Sequence, residues 1–188
     1  MVVGLGNPGP TYRGHRHNVG AVVLDLLAER VGGRFTAHKG RVDVVEGRLV
    51  GHRAVLAKPK AYMNISGGPV AAVRDFFKVP ADRLVVIHDE LDLPYGGLRV
   101  KFGGGDNGHN GLKSLRQSLG TGEFYRVRVG IGRPPGRQDP AAFVLRDFSV
   151  VERRELPFHL DRAADAVESL VRDGLDRTQN VFHTTGVP

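Results

Sequence analysis

The sequence predicts an α/β sandwich, with helices on both faces of one sheet. Three observations carry that expectation. Short apolar runs of strand character alternate with stretches of helical periodicity along the whole chain. No repeat, low-complexity tract or linker interrupts them. At 188 residues with 40% hydrophobic content, the chain can bury one core and is short for two, so one domain over 1–188 is expected.

The elements follow in order. Residues 1–5 read as a short buried strand, followed by a Gly/Pro-punctuated loop to Asn18. Asn18 is placed to cap a helix in which Val19, Val22, Val23, Leu26 and Leu27 share a face and Gly32 and Gly33 end the run. Alternation around Val42 and Val44, a turn near Gly47 and the run Ala54–Leu56 suggest two neighbouring strands. Pro69 suits a first helical turn, Val70, Val73, Phe76 and Phe77 form one face, and Pro80 stops that helix.

The run Leu84–Ile87 reads as a strand ending abruptly in His88, Asp89 and Glu90; acids in such a place belong to a site or to solvent. "LRVKF" alternates as a strand, with Arg99 and Lys101 on one face. "GGGDNGHNGLKSLRQSLG" is a glycine-rich loop feeding a helix, and "FYRVRVGIG" is another strand. From Val150 the pattern is helical, with Leu156, Leu160, Ala163, Val167 and Leu170 on one stripe, and "DRTQNVFHTTGVP" reads as a short last turn and a frayed end.

Composition narrows the functional classes. No window approaches the ~18 apolar residues of a membrane span, and no leader pattern opens the chain, so a cytoplasmic protein is expected. The absence of cysteine excludes disulfides, thiolate metal sites and a thiol nucleophile. The formal charge of +7 nominates a polyanionic partner such as nucleic acid, since bound Lys and Arg release counterions from phosphates, beside the alternative of basic residues that only solvate the surface.

Two cofactor readings are open to test. Gly4, Gly6 and Gly9 spell G-x-G-x-x-G, but a dinucleotide fingerprint must pass directly into a helix and be followed ~20 residues later by a strand-end acid. Here Pro8, Pro10 and Gly14 delay the helix, and the acid at that distance, Glu29, lies on it, so no nucleotide cofactor is expected. The glycines read instead as a turn that exposes Asn7. His15 and His17 with His88, Asp89 and Glu90 offer metal ligands, yet without helical metal-site spacing, and no metal is expected.

Three loops carry polar residues that packing does not require. These are Asn7 with Tyr12, His15, His17 and Asn18; Tyr62, Met63 and Asn64; and Asp89 with His109 and Asn110. A histidine whose tautomer is fixed by a buried carboxylate can serve as a general base, and His17 with Asp89 suits those roles if the fold unites them. With no G-x-S-x-G elbow, water is the expected nucleophile of any hydrolysis, and Asn7, Asn64 and Asn110 are neutral groups of the kind that position it.

Five motifs in this order, "GLGNPGPTYRGHRHNVG", "KPKAYMNISG", "HDELDLPYG", "GGGDNGHNGLKSL" and "YRVRVGIGRP", closely resemble the bacterial-type peptidyl-tRNA hydrolases. The resemblance implies an esterase, free of metal and coenzyme, that cleaves peptide from the terminal ribose of peptidyl-tRNA; a monomer is expected, though nothing in the sequence itself reports oligomeric state. It also implies a mixed twisted sheet between helices. By position, His17 resembles the base that activates water, Asp89 its orienting carboxylate, and Asn7 the residue that senses the first peptide bond. Asn64 and Asn110 would hold substrate or water, and Tyr12, Tyr62, Met63 and His109 would line the cleft. Arg99, Lys101, Lys113 and Arg133 would meet tRNA phosphates. Asp106 departs from the pattern by placing a negative charge in the glycine-rich loop. The rival reading is a non-catalytic RNA-binding protein on the same scaffold.

Overall fold

The computed structural model describes residues 1–183. Its strands are β1 (Val2–Gly4), β2 (Thr36–His38), β3 (Val42–Leu49), β4 (His52–Pro59), β5 (Val85–Glu90), β6 (Leu98–Phe102) and β7 (Tyr125–Gly130). Among the described residues they form one seven-stranded sheet in the order β2-β3-β4-β1-β5-β7-β6. Strands β4, β1, β5 and β7 run parallel, and β2, β3 and β6 are antiparallel to their neighbours. The helices are α1 (Val19–Arg30), α2 (Gly67–Phe76), α3 (Asn110–Leu119), α4 (Pro140–Val144), α5 (Val150–Asp173) and α6 (Leu175–Phe182).

Both faces of the sheet are covered, which is why β5 can be buried at all six positions instead of alternating. On one face α1 and α5 supply Val23, Leu24, Leu27, Ala163, Ala164, Val167 and Leu170 to a core shared with Val2, Val85 and Ile87. On the other, Val70 and Val73 of α2 and Leu112 and Leu115 of α3 pack against Val3, Val86 and Phe124. Full burial of each Val, Leu, Ile or Phe among them stabilises by roughly 1.5–3 kcal/mol. Alternate residues of β1 therefore serve opposite cores.

Helix α1 lies unusually close to the sheet. A Cβ on Gly4 would stand 2.4 Å from the Gly20 carbonyl oxygen, and one on Gly20 would stand 2.2 Å from that of Ile87. These glycines permit backbone-to-backbone approach of α1 to β1 and β5. Within "GLGNPG", Gly4 thus serves packing, and only Gly9, at φ 99°, has the turn conformation expected of the whole stretch.

Several expectations are corrected. Asn18 sits at the start of α1, but its side chain does not cap the helix. Strand β2 and helix α4 were not expected, being only three and five residues long. The last turn is instead the eight-residue helix α6. The expected frayed end, 184–188, lies outside the described residues. Helix α6 packs along the outer edge of β6, where the Val100 N–H donates to His183 Nε2 at 2.8 Å and the Val100 carbonyl accepts from Gln179 Nε2 at 2.9 Å. No helix among the described residues is long and apolar enough to cross a membrane.

Candidate active site

The carboxyl ends of the four parallel strands open onto one cleft, the place where open α/β sheets collect ligands. The loop after β1 brings Asn7, Tyr12 and His17; the turn after β4 brings Tyr62, Met63 and Asn64; β5 ends in Asp89 and Glu90. The start of α3 adds His109 and Asn110, and the segment beyond β7 adds Arg133. The cleft has a volume of about 610 Å³.

Asn18 holds the first loop in shape. Its Nδ2 donates to the Asn7 carbonyl at 2.9 Å, and its Oδ1 accepts from the Asn7 N–H at 2.9 Å. These two bonds replace the helix cap expected of it. The Asn7 side chain is oriented in turn, because its Oδ1 accepts from the Met63 N–H at 2.8 Å. That bond fixes the amide so that its NH2 group is the part left to meet a ligand.

His17 lies in a 3₁₀ turn, Arg16–Asn18, and is buried. Its Nδ1 stands 2.9 Å from Asp89 Oδ2 and 3.0 Å from Oδ1. Asp89 Oδ1 also lies 2.8 Å from His109 Nε2. The tautomer of His109 follows from its place at the N-cap of α3, where Nδ1 accepts from the N–H groups of Gly111 at 3.1 Å and Leu112 at 3.3 Å. An accepting Nδ1 carries no proton, so Nε2 carries it and donates to Asp89. The carboxylate thus takes N–H donors from both rings, and His17 Nε2 is left as the basic nitrogen of that ring.

Burial opposes a charge on Asp89, but His109 and His17 outweigh it and hold the carboxyl far below the usual carboxylate range. His88, the preceding residue, turns to the other face of β5. Its Nδ1 donates to the Asp89 carbonyl at 2.7 Å, and burial pushes its pKa down to about 3. Its Nε2 is buried without a hydrogen-bond partner.

The structure does not assemble the metal ligands considered from sequence. Among the described residues, the group whose ligand atoms fall within 4.8 Å of one another is His17, Asp89 and His109. A cation in their midst would have to displace both N–H donors from the carboxylate. Nor does a helix follow β1 directly, since two 3₁₀ turns precede α1.

The family model described as peptidyl-tRNA hydrolase matches residues 1–187. The chain belongs to the peptidyl-tRNA hydrolase family. Curated peptidyl-tRNA hydrolases of Frankia casuarinae and Streptomyces coelicolor are similar to it. The first is 64% identical over 97% of this chain and 93% of its own length, the second 60% over 98% and 94%. The crystal structure of peptidyl-tRNA hydrolase from Acinetobacter baumannii superposes with a TM-score of 0.91 at 33% identity, covering 97% of this chain and 93% of that one.

Of the residues singled out in the sequence, Asn7, Tyr12, His17, Tyr62, Met63, Asn64, Asp89, His109, Asn110 and Arg133 line this peptidyl-tRNA hydrolase family cleft. The rings of Tyr12 and Tyr62 meet edge-on, centroids 6.1 Å apart. Arg133 is paired with Asp92 at 2.6 Å. Arg99 and Lys101 lie on β6 and Lys113 on α3, and these three do not line the cleft.

Sequence reasoning missed the far wall, Asp139, Pro140, Ala141, Val144 and Leu145, and also Asn107. Asn107, at φ 50°, donates to Glu90 Oε1 at 3.0 Å and Asp92 Oδ2 at 2.7 Å. An Asn directly before a glycine in a glycine-rich loop was a signal for that left-handed position. Asp106 is accounted for locally: it accepts from the Gly108 N–H at 3.1 Å and pairs with Arg116 at 2.9 Å, fastening the loop to α3.

Proposed function

We propose that the chain, acting as one catalytic domain and as a monomer in the cytoplasm, hydrolyses the ester between peptide and tRNA in peptidyl-tRNA, with His17 as general base. Family membership supports the reaction. The observation that carries the residue assignment is the Asp89 carboxylate, which holds His17 by Nδ1 and leaves Nε2 toward the cleft. In this reading a water gives a proton to His17 Nε2 as its oxygen bonds to the ester carbonyl carbon. The tetrahedral adduct then expels the ribose oxygen, which takes the proton back from His17. Asp89 stays ionised and stabilises the imidazolium while it exists.

The oriented NH2 of Asn7 is the group proposed to recognise the first peptide bond. Asn64 and Asn110 hold substrate or water, with Tyr12, Tyr62, Met63 and His109 shaping the cleft. Arg99, Lys101, Lys113 and Arg133 are assigned to tRNA phosphates. A non-catalytic RNA binder would have no use for a buried carboxylate that fixes a histidine tautomer.

The test compares release of tRNA from N-acetyl-aminoacyl-tRNA and from unblocked aminoacyl-tRNA, with His17→Ala alongside. Rapid hydrolysis of the blocked substrate alone is expected, with a loss of about 10²–10⁴-fold in the variant and tRNA binding retained. Wild-type turnover in His17→Ala would remove it as the base.

A further inference from the structure

Arg16 precedes His17 and is only 6% exposed. Its guanidinium is held between two aromatic rings, 4.1 Å from the centroid of Phe143 and 5.3 Å from that of Phe148. It donates to the Asp147 carbonyl at 2.6 Å and to Glu152 Oε2 at 2.8 Å, while the Arg16 backbone N–H donates to the Arg146 carbonyl at 3.0 Å. All of these contacts fall on one stretch, 143–152, which joins α4 to α5.

That stretch ends the wall of the cleft. Pro140, Ala141, Val144 and Leu145 face the ligand space, and α4 itself is one turn of five residues. A helix this short has no stability of its own and is placed by what it packs against. Here Phe143 supplies the packing, and its ring face is covered by Arg16. A buried cation is costly to desolvate unless paired, and one removed from such a setting leaves Glu152 without its charge partner.

We propose that Arg16 is a positioning residue that determines substrate affinity: it latches the α4 wall onto the turn bearing His17 and so sets the width of the cleft at that wall. This rests on the peptidyl-tRNA hydrolysis proposed above. Because Asp89 holds His17 independently, loss of the latch moves the wall and leaves the base in place.

The test uses the full chain, with hydrogen exchange over 139–149 measured beside steady-state kinetics on N-acetyl-aminoacyl-tRNA. Arg16→Gln is expected to speed exchange in that segment and raise KM about tenfold, with kcat little changed. Phe143→Leu, which keeps an apolar filler but removes the ring beneath the cation, is expected to raise KM about threefold. A purely structural role for Arg16 would lower the melting temperature and leave KM alone. Wild-type KM and exchange in Arg16→Gln overturn the latch; if that variant does not fold, the same result in Phe143→Leu does so. Exchange is read without substrate, so failure of the hydrolysis reading, seen as an inactive wild type, remains separate.

Discussion

His109 donates through Nε2 to Asp89 Oδ1 at 2.8 Å, while its Nδ1 caps helix α3. One ring therefore ties the glycine-rich loop to the end of β5. The two duties separate by substitution. Asn is a good N-cap and is too short to keep both bonds, so His109→Asn is expected to retain most of the stability that His109→Ala loses, about 1 kcal/mol. Both variants should turn over more slowly than wild type. Chemical denaturation beside initial rates checks this, and equal stability of the two variants would refute the capping role.

Asp89→Asn presents one oxygen and one NH2 group where two N–H donors converge. The amide can satisfy one histidine and must repel the other or force its tautomer to change. Loss of about two to four orders of magnitude in kcat is expected. Nitrogen-15 shifts of the His17 ring should report the altered tautomer.

Asn7→Asp keeps the oxygen that accepts from Met63 and deletes the donor facing the cleft. The fold should survive, and discrimination between blocked and unblocked substrate should fall by about tenfold, the value of one hydrogen bond. A ratio of rates on the two substrates measures it, and an unchanged ratio would remove Asn7 from recognition.

Two buried groups set the acid limit. His88 falls from its ordinary 6.5 to about 3 in the folded chain, so the unfolded chain binds the extra proton between those values. Stability is complete above pH 6.5 and declines as the pH falls toward 3. Asp89, also held low, adds to the decline below its ordinary value near 3.8. Melting temperatures should drop across this window, and His88→Gln should flatten the upper part of the slope.

Lys113, exposed on α3 beyond the cleft lining, tests the phosphate assignment. Lys113→Ala should weaken tRNA binding uniformly across tRNAs and reduce the salt slope of log K by about one unit. Binding titrations at several salt concentrations decide it. An unchanged slope makes Lys113 an ordinary surface side chain.

Much of this was legible because it depends on period and chemistry. The α5 stripe and the buried run of β5 follow from local pattern, whereas the pairing of His17 with Asp89 was conditional on the fold and came with the family resemblance. What escaped depends on long-range partners. Asn18 has the residue type and place of a helix cap, yet Asn7 offers it two bonds. Arg16 drew no expectation, because residues 143–152, which enclose it, are far away in the sequence. The sequence groups His109 with Asp89, but the direct bond between its Nε2 and that carboxylate depends on where α3 begins and has no local signature. Gly4 reads as part of a turn because the approach of Gly20 is invisible in a pattern.

The pairing of Val100 with Gln179 and His183 concerns the life of the protein more than its chemistry. An edge strand is a template on which another chain can add its own strand and seed aggregates. Here two side chains of the C-terminal region satisfy the outward N–H and carbonyl of Val100, at the middle of β6, in place of a foreign backbone. Because His183 accepts only while its ring is unprotonated, acid removes half of this guard, and self-association through β6 becomes the hazard of storage at low pH.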